Sequence, residues 1–381
     1  MTVYLDYAAA TPLDNDVLMA MQPYFSDMFY NPSSPYAPAV HVRQNYDAAK
    51  ATIARIIGAR SGEIIMTAGA TESINLAFGF NTGHVVTSTI DHQAVLAAAA
   101  KHEHTQVDVD QSGRVDPDKI KNAIRPDTWL VSIGLANNEL GTIQPLSKIA
   151  AVIADIRRDR RASSNATPIY LHTDASQGAG QLDLHVARLG VDMLTLNAAK
   201  VYGPKQVGLL FASRLVNVKP QIVGGGQEAG MRSGTENVAG VIGMAKALEI
   251  ADAKRHDEVQ RLAKLRNTLQ ARLVTEFPDA VISGHAKHRL SGHLHISFPG
   301  IDAERLVFGL EAKDVPVATG SACAANKGTR SHVLEAIGLA PEVADGSLRL
   351  SLGKETQETD IQQAAEAIID VVTREKLRQV A

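Results

Sequence analysis

Two side chains of opposite charge, Asp174 and Lys200, each follow an apolar run that predicts a buried β-strand. Lys200 stands among small and apolar residues, where the loss of water favours the uncharged amine that can form an imine. Asp174 lies close to Gln177, and an acid beside an amide donor suits a protonated heterocycle nitrogen, as pyridoxal phosphate requires. The alternatives are a lysine that extends into solvent and an aspartate that caps a helix.

A second candidate is the turn of residues 67–70, which joins a predicted strand to a predicted helix. A helix N-terminus presents free N–H groups and the positive end of the helix dipole to an anion. Ala70 is small enough to let an anion approach the backbone, and the hydroxyl of Thr71 could add a hydrogen bond. The turn could equally be a tight strand-to-helix connection that Thr71 caps.

Polar residues also follow two further predicted strands. His92 comes after the strand 84–88 and could stack on a planar ligand or transfer protons. Asn138, in the run Asn137-Asn138-Glu139, could donate hydrogen bonds to a ligand from its amide. A histidine that the protein itself satisfies, and a pair of amides that hold a turn, are the other interpretations.

Cys323 is the one cysteine of the chain, so the sequence predicts no internal disulfide, and we expect no metal site. It stands in residues 318–330, a small, polar and glycine-bearing stretch that favours an exposed loop and a reactive thiol over a buried one. Lys327 and Arg330 could help to hold a thiolate. Arg349, on a later predicted strand, could bind a carboxylate through two hydrogen bonds.

Short β-rich runs alternate with helical patterns over the first 250 residues. The runs that predict strands are 63–67, 84–88, 128–133, 168–173, 191–196 and 207–211. Such alternation is typical of an α/β fold with a largely parallel sheet, whose ligands bind beyond the carboxyl ends of the strands. We therefore expect the polar residues that follow these strands to lie close together.

The pattern changes near residue 250, where a long amphipathic helix is predicted over residues 252–277 and isolated strands follow. This change predicts a large ligand-binding domain of residues 13–250. A smaller α+β domain would consist of residues 251–381 together with residues 1–12. The small domain would carry a mobile loop with the cysteine at about residues 318–331.

The composition is that of an ordinary globular protein, with 45% hydrophobic and 21% charged residues among 381. A net charge of −3 creates no general attraction to nucleic acid or to an anionic membrane, so we expect neither as a direct partner. No apolar run approaches the roughly 20 residues that span a bilayer. Asp6 interrupts the N-terminus too early for a signal peptide, and we expect a cytoplasmic protein.

Motifs spread along the chain match the pattern of a known family. They are residues 4–12 (Tyr-Leu-Asp-Tyr-Ala-Ala-Ala-Thr-Pro), 31–34 (Asn-Pro-Ser-Ser), 70–73 (Ala-Thr-Glu-Ser), 137–139 (Asn-Asn-Glu), 174–177 (Asp-Ala-Ser-Gln), Lys200 with 202–205 (Tyr-Gly-Pro-Lys), 231–235 (Met-Arg-Ser-Gly-Thr) and 320–323 (Gly-Ser-Ala-Cys). With these motifs the chain resembles the NifS/IscS-like cysteine desulfurases, a group of class-V aminotransferases with the fold-type-I pyridoxal phosphate architecture. That resemblance implies a large domain with a mostly parallel sheet and a smaller α+β domain.

The resemblance also implies which residues hold pyridoxal 5'-phosphate. They are Ala70, Thr71, His92, Asn138, Asp174, Gln177, Asn197 and Lys200, joined in a homodimer by Thr235 of the partner subunit. Lys200 would form the imine with the cofactor, and Asp174 would pair with its ring nitrogen. Gln177 would reach the phenolic oxygen of the cofactor, while His92 would stack on the ring and transfer protons.

The implied substrate is L-cysteine, which Asn31, Asn138 and Arg349 would hold, with Arg349 on its carboxylate. The amine of Lys200 would remove the Cα proton, and the thiolate of Cys323 would attack the substrate sulfur. An enzyme persulfide would form and L-alanine would leave. The sulfur would then pass to an acceptor protein, such as a tRNA thiouridylase or an iron–sulfur scaffold.

Two features depart from the family pattern. Asn197 and Ala199 stand where a hydroxyl residue and a histidine usually contact the phosphate, which implies weaker retention of the cofactor or a substitute donor. The chain also ends at Ala381, soon after its last predicted helix, without the tail that docks relatives to iron–sulfur scaffolds. This second departure favours a dedicated sulfur donor, for example for tRNA thiolation.

Other functions remain open on the same residues. A selenocysteine lyase would strongly prefer the selenium substrate, and another class-V aminotransferase would need no cysteine in the loop. From a different class of function, a non-catalytic sulfur carrier or regulatory partner could keep the fold without the chemistry.

Overall fold

The computed structural model describes residues 2–319 and 330–380, and seven strands form the larger of the two sheets there. These strands are β1 (Ile64–Thr67), β2 (His84–Ser88), β3 (His104–Val107), β4 (Thr128–Ser132), β5 (Tyr170–Asp174), β6 (Met193–Asn197) and β7 (Gly208–Ala212). Their spatial order is β1-β7-β6-β5-β4-β2-β3. Strands β2 to β6 run parallel, and β7 lies antiparallel to both of its neighbours.

Both faces of this large sheet are buried. On β7, Leu209 and Phe211 belong to the apolar cluster of one face, and Leu210 belongs to the cluster of the other face. The helices of this part of the chain are α1 (Asn15–Met21), α2 (Pro23–Ser26), α3 (Ala37–Ile57), α4 (Ala70–Phe78), α5 (Gln93–Ala99), α6 (Pro117–Ala123), α7 (Leu146–Ala162) and α8 (Val186–Leu189). Because β2, β4, β5 and β6 run parallel, their carboxyl ends all lie at the same end of the sheet.

Four antiparallel strands form the second sheet. They are β8 (Val281–Ser283), β9 (His293–Ser297), β10 (Ala318–Thr319) and β11 (Ser347–Ser351), in the order β10-β11-β9-β8. The helices that follow β9 are α10 (Ala303–Glu311), α11 (His332–Ala336), α12 (Pro341–Ala344) and α13 (Glu358–Val380), and the long helix before β8 is α9 (Val238–Glu276). The N-terminus adds to this sheet, since the N–H of Ser351 donates to the carbonyl oxygen of Leu5 at 2.8 Å.

Helix α9 runs without a break through residue 250, where the sequence predicts a domain boundary. Its first part contributes Met244 to the core of the large sheet, and its second part contributes Leu269 to the core of the small sheet. The prediction of a helix start at residue 252 is therefore wrong. Apart from Lys246, residues 238–248 are small or apolar and mostly buried, so they lack the amphipathic period that marks a surface helix.

The observed strands of the large sheet agree with the predicted ones to within two residues at each end, except that β3 was not predicted. Strand β3 lies at the edge of the sheet, and most of its side chains are polar and not buried. An edge strand of this kind lacks the apolar run by which a buried strand is recognised. Within the ranges 2–319 and 330–380, no helix is long and apolar enough to cross a membrane.

Candidate active site

A cavity of about 380 Å³ opens at the edge of the large sheet where its parallel strands end, and its volume lies within the range of small-molecule sites, roughly 300–1,000 Å³. Asp174 at the end of β5, Asn197 at the end of β6 and Arg349 from β11 all contribute to its wall. The cavity thus lies between the two sheets. The predicted site residues that line it are Ala70, Thr71, His92, Asn138, Asp174, Gln177, Asn197, Lys200 and Arg349.

Lys200 follows β6 in a short 3₁₀ turn, and its amine contacts the N-terminal segment. The Nζ atom donates hydrogen bonds to the carbonyl oxygens of Ala8 at 2.8 Å and Ala9 at 2.5 Å. The side-chain amide of Gln177 donates to the same oxygen of Ala8 at 3.0 Å. The N-terminal segment therefore contacts two of the predicted site residues directly.

Asp174 and His92 lie on different connections at the wall of the cavity. The Oδ1 atom of Asp174 accepts a hydrogen bond from the backbone N–H of Ser176 at 3.0 Å. The Nδ1 atom of His92 accepts from the backbone N–H of Ala94 at 3.1 Å, which places the proton of the neutral ring on Nε2. Burial lowers the pKa of His92, although the charge of Asp174 opposes this shift. A neutral imidazole can stack on a planar ligand and take part in proton transfer.

The turn before α4 has the geometry of an anion site. Gly69 has a φ of +146°, which favours glycine, and a Cβ there would meet no atom within 4 Å. Gly69 is also the N-cap of the helix, so the alternative in which Thr71 caps it is wrong. Ala70 and Thr71 begin α4 and line the cavity, where the first N–H groups of a helix have no partner within the helix.

The two neighbouring asparagines have different surroundings. Asn137 holds a turn, since its Oδ1 atom accepts from the N–H groups of Glu139 at 2.9 Å and Leu140 at 2.8 Å. Its Nδ2 atom donates to the carbonyl oxygen of Ile90 at 2.9 Å. Asn138 has no such side-chain bond within the described ranges, and it lines the cavity beside Asn137. Both interpretations of this segment are thus realised, one by each residue.

Arg349 contributes a cation to the cavity from the small sheet, and only 4% of its side chain is exposed. Its Nη2 atom donates to the Oδ1 atom of Asp6 at 2.6 Å. Its Nη1 atom donates to the backbone oxygen of Asn138 at 3.3 Å. A guanidinium fixed in this way on the cavity wall can bind a carboxylate.

Asn197 and Ala199, the two departures from the family pattern, are hydrogen-bonded to each other. The Oδ1 atom of Asn197 accepts from the N–H of Ala199 at 3.1 Å, so the Nδ2 group remains as its donor. Ala199 offers no side-chain donor, and its carbonyl oxygen accepts from the hydroxyl of Thr11 at 3.1 Å. Asn197 alone of these two positions could therefore donate from its side chain to a ligand.

Three predicted site residues are not brought to this cavity. Asn31 is exposed, and its Oδ1 atom accepts from a backbone N–H two residues further on at 2.9 Å. Thr235 is exposed and does not line the cavity of its own chain. Cys323, the predicted thiol nucleophile, lies outside the described residues. Arg330, a predicted neighbour of the thiolate, instead donates to both carboxylate oxygens of Asp345, at 2.7 and 2.9 Å.

Two buried acids beside the cavity were not predicted as site residues. The carboxylate of Asp91 accepts from the N–H and hydroxyl of Ser88 and from the N–H of Gly134, each at 2.8 Å. Burial nevertheless raises the pKa of Asp91 to about 6. Glu139 accepts from the hydroxyl of Ser331 at 2.6 Å, and burial raises its pKa to about 7. The only signal in the sequence is that each acid stands next to a predicted residue.

The residues around the cavity fit pyridoxal 5'-phosphate. The start of α4 suits the phosphate, Asp174 suits the ring nitrogen, and Lys200 suits the aldehyde. His92 and Gln177 supply further polar groups on the same wall. Within the described part of the chain, no cluster of three or more His, Cys, Asp or Glu residues could hold a metal ion.

The order of the large sheet, with an acid at the end of β5 and a lysine after β6, defines the architecture of fold-type-I pyridoxal phosphate enzymes. The family model of the class-V aminotransferases matches residues 3–364. The chain belongs to this family, as its motifs predict.

Similar proteins include two that are named cysteine desulfurase IscS. The protein of Dictyoglomus turgidum is 39% identical, and the match covers 100% of this chain and 96% of that protein. The protein of Methanosarcina thermophila is 38% identical, and the match covers 100% of this chain and 93% of that protein. These relatives confirm the predicted resemblance to the cysteine desulfurases.

Solved structures show the same fold. A NifS-like protein superimposes with a TM-score of 0.88 at 31% identity, over 98% of this chain and 100% of that one. SspA in complex with cysteine superimposes with a TM-score of 0.78 at 33% identity, over 92% of this chain and 99% of that one. The predicted α/β fold class, with a mostly parallel large sheet and a smaller sheet, is confirmed.

Proposed function

We propose that this protein is a pyridoxal phosphate-dependent cysteine desulfurase that converts L-cysteine to L-alanine and transfers the sulfur to Cys323. The observation that carries the proposal is the single cavity in which Lys200, Asp174, the start of α4 and Arg349 meet. That set combines an amine for an aldehyde, an acid for a ring nitrogen, an anion site and a cation for a carboxylate. Relatives named cysteine desulfurase along the whole chain support it.

Each part of the cofactor has a partner in this cavity. The N–H groups at the start of α4 and the hydroxyl of Thr71 would hold the phosphate, with the amide of Asn197 as a further donor. Asp174 would keep the ring nitrogen protonated, and His92 would stack on the ring. When bound through Lys200, the cofactor supplies an electron sink that stabilises negative charge at the substrate Cα.

The substrate would be held by its carboxylate on Arg349, with the amide of Asn138 close by. The Nζ atom of Lys200 would be the base for the Cα proton, and the neutral ring of His92 could exchange a proton. The sulfur of the substrate would form a bond to the Sγ atom of Cys323 as its bond to Cβ breaks, and the electron pair of the broken bond would stay on the substrate, where Cβ takes up a proton. The products are a persulfide on the enzyme and L-alanine, so the sulfur and hydrogen atoms balance without an external oxidant.

An absorption spectrum recorded together with L-alanine production tests this function. The purified protein supplied with pyridoxal 5'-phosphate should be yellow, and Lys200→Ala should lose the visible band of the bound cofactor. Cys323→Ala should keep the band and lose sulfur release from cysteine. A wild-type protein that stays colourless with the aldehyde contradicts the proposal and favours a non-catalytic carrier.

The same assay separates the other enzymes of this family. If Cys323→Ala spares a transamination that the wild type also catalyses, the protein is an aminotransferase. If kcat/KM for L-selenocysteine greatly exceeds that for L-cysteine, it is a selenocysteine lyase. We expect kcat/KM for L-cysteine to equal or exceed that for L-selenocysteine, and we expect the activity to depend on Cys323.

We further propose a homodimer in which Thr235 reaches the cofactor site of the partner subunit. Helices α1 and α2 and the segment after them expose large apolar side chains, with Met19, Phe25 and Phe29 exposed at 62%, 65% and 67%. Exposed apolar surface of this kind is typical of a protein interface. A second subunit would also explain why Thr235 is exposed and away from the cavity of its own chain.

The acceptor of the sulfur is a protein of the same compartment, for which we propose the cytoplasm. Both a tRNA thiouridylase and an iron–sulfur scaffold could take sulfur from a persulfide. A transfer assay from the ³⁵S-loaded enzyme to each purified acceptor, with the thiol of the acceptor alkylated as control, would distinguish them. Label on the thiouridylase alone is the result expected for a dedicated sulfur donor.

A further inference from the structure

The guanidinium of Arg349 is held by an acid that comes from the opposite end of the chain. Asp6 accepts from its Nη2 atom at 2.6 Å, with 18% of the Asp6 side chain and 4% of the Arg349 side chain exposed. Within the ranges 2–319 and 330–380, Asp6 is the acid that forms an ion pair with Arg349. Because the pair is largely shielded from water, its attraction is screened much less than that of a surface pair.

Asp6 is itself fixed in place against the small sheet. Residue 6 forms a parallel bridge with Ser351, two positions after Arg349 on β11. The hydroxyl of Tyr4 donates to the carbonyl oxygen of Asp6 at 2.9 Å. The N–H of Ala8 donates to the hydroxyl of Ser351 at 2.9 Å. The carboxylate therefore has a defined position from which it can orient the guanidinium.

Arg349 keeps donors for a ligand in this arrangement. Of the five N–H groups of a guanidinium, one goes to Asp6 and one to the backbone of Asn138. The Nε atom is buried and has no partner within the part of the chain that the structure describes. His295, opposite Arg349 on β9, adds no charge, since burial lowers its pKa to about 3.

We propose that Asp6 is a positioning residue that orients Arg349 for the α-carboxylate and makes the cavity select amino acids with an uncharged side chain. This inference rests on the proposed function. One carboxylate, that of Asp6, already balances the charge of Arg349, so an α-carboxylate binds through directed N–H donors rather than through excess positive charge. An amino acid with a second acidic group brings a further negative charge into a cavity that Asp174 lines and whose cation, Arg349, Asp6 already neutralises, and the like charges disfavour binding.

Two substitutions at Asp6 separate orientation from charge. Asp6→Ala removes the acceptor, and it should raise KM for L-cysteine about tenfold, the loss expected for one charge-assisted hydrogen bond, while kcat changes less than KM. Asp6→Asn keeps an acceptor of the same size, and it should restore KM to near the wild-type value. Because Asn carries no charge, it should also tighten the binding of L-aspartate relative to L-alanine by about fivefold or more.

The measurements are steady-state kinetics and calorimetric titration of the pyridoxal phosphate-loaded protein with L-alanine and L-aspartate. Asp192→Asn is the matched control. Asp192 pairs with Arg157 and directly precedes β6, so it lies at the amino ends of the strands, away from the cavity at their carboxyl ends. The control should leave KM and the ratio of the two dissociation constants unchanged.

An Asp6→Asn protein with the wild-type ratio of L-aspartate to L-alanine affinity overturns the selectivity role. An Asp6→Ala protein with the wild-type KM and affinity for L-alanine overturns the orienting role, and if that variant does not fold, Asp6→Asn still decides. The failure of the proposed function looks different. A wild-type protein that binds L-alanine but forms none from L-cysteine contradicts the desulfurase activity, whereas the binding ratios still test Asp6.

Discussion

Asn137 and Asn138 carry identical side chains, but they act in different ways. Both line the cavity, but the side chain of Asn137 binds backbone groups of its own turn and of Ile90, whereas that of Asn138 has no such bond within the described ranges. Asp6 and Arg349, by contrast, differ in type and lie near opposite ends of the chain, but they act together as one ion pair that is largely shielded from water. At the scale of single residues, the role of a polar group is thus determined by the partners that surround it.

Glu139 should make the stability of the protein depend on pH. Burial raises its pKa from 4.5 to about 7, so the folded state binds a proton between these values that the unfolded state releases. The resulting stabilisation is complete below about pH 4.5 and is lost as the pH rises through 7. Glu139→Gln keeps an acceptor for Ser331. The difference between its free energy of unfolding and that of the wild type should therefore increase by about 2.5 kcal/mol from pH 5 to pH 8.

Urea denaturation of both proteins at pH 5, 6, 7 and 8 provides this comparison. Glu342→Gln is the matched control, because Glu342 is exposed on α12, and its difference from the wild type should not change with pH. A constant difference between Glu139→Gln and the wild type across this range would show that the carboxyl is not perturbed.

At the scale of elements, the ends of the strands position the site. Strands β5 and β6 each pair with a neighbouring strand on both sides, and Asp174 and Asn197 are themselves paired on one side, so both leave the sheet at a fixed place. Strand β7 supports the turn before α4, because Gly208 packs directly on Gly69 of that turn. A Cβ on Gly208 would lie 2.6 Å from the Cα atom of Gly69, which is closer than packed atoms approach.

Gly208→Ala should therefore displace the turn before α4. The nearest atoms belong to the backbone of Gly69 and Leu196 and cannot rotate away, so we expect a loss of stability of about 1–3 kcal/mol. The dissociation constant of pyridoxal 5'-phosphate should also rise, because the N–H groups of the turn would move. Thermal unfolding of the apoprotein and absorbance titration with the cofactor measure the two effects.

Gly62→Ala is the control for this substitution, since a Cβ on Gly62 meets no atom within 4 Å. It should leave both the unfolding temperature and the cofactor affinity close to those of the wild type. If Gly208→Ala behaves like Gly62→Ala, the close contact between β7 and the turn does not support the site.

At the scale of the whole molecule, the site lies between the apolar core on one face of the large sheet and the separate core of the small sheet. Helix α9 contributes to both cores, and the N-terminal segment contacts Lys200 from one side and Arg349 from the other. The relative position of the two sheets therefore determines the distance between the amine and the guanidinium. A change in helix α9 or in the N-terminal segment should therefore alter substrate binding, even when the residues that line the cavity stay the same.

The exposed apolar side chains of α2 and the segment after it should form the dimer interface. Phe25→Asp combined with Phe29→Asp places two charges in that surface, so sedimentation equilibrium should show a monomer in place of the wild-type dimer. Phe308→Asp is the matched control, because Phe308 is exposed to a similar extent, 66%, on α10, which packs beside the small sheet. A wild-type protein that sediments as a monomer, or a double variant that stays dimeric, contradicts this assignment.

The amino-acid sequence by itself determined the α/β architecture and most of the wall of the cavity. Buried strands and amphipathic helices have local periods, and parallel strands bring their carboxyl ends to one edge, so residues such as Asp174 and Lys200 could be predicted to meet. The tertiary structure alone decided which of the two neighbouring asparagines holds the turn, and that Asp6 pairs with Arg349, 343 positions away. It also decided that α9 begins at Val238, before the boundary that the sequence predicts near residue 250. These features depend on packing between distant parts of the chain, which leaves no periodic pattern in the sequence.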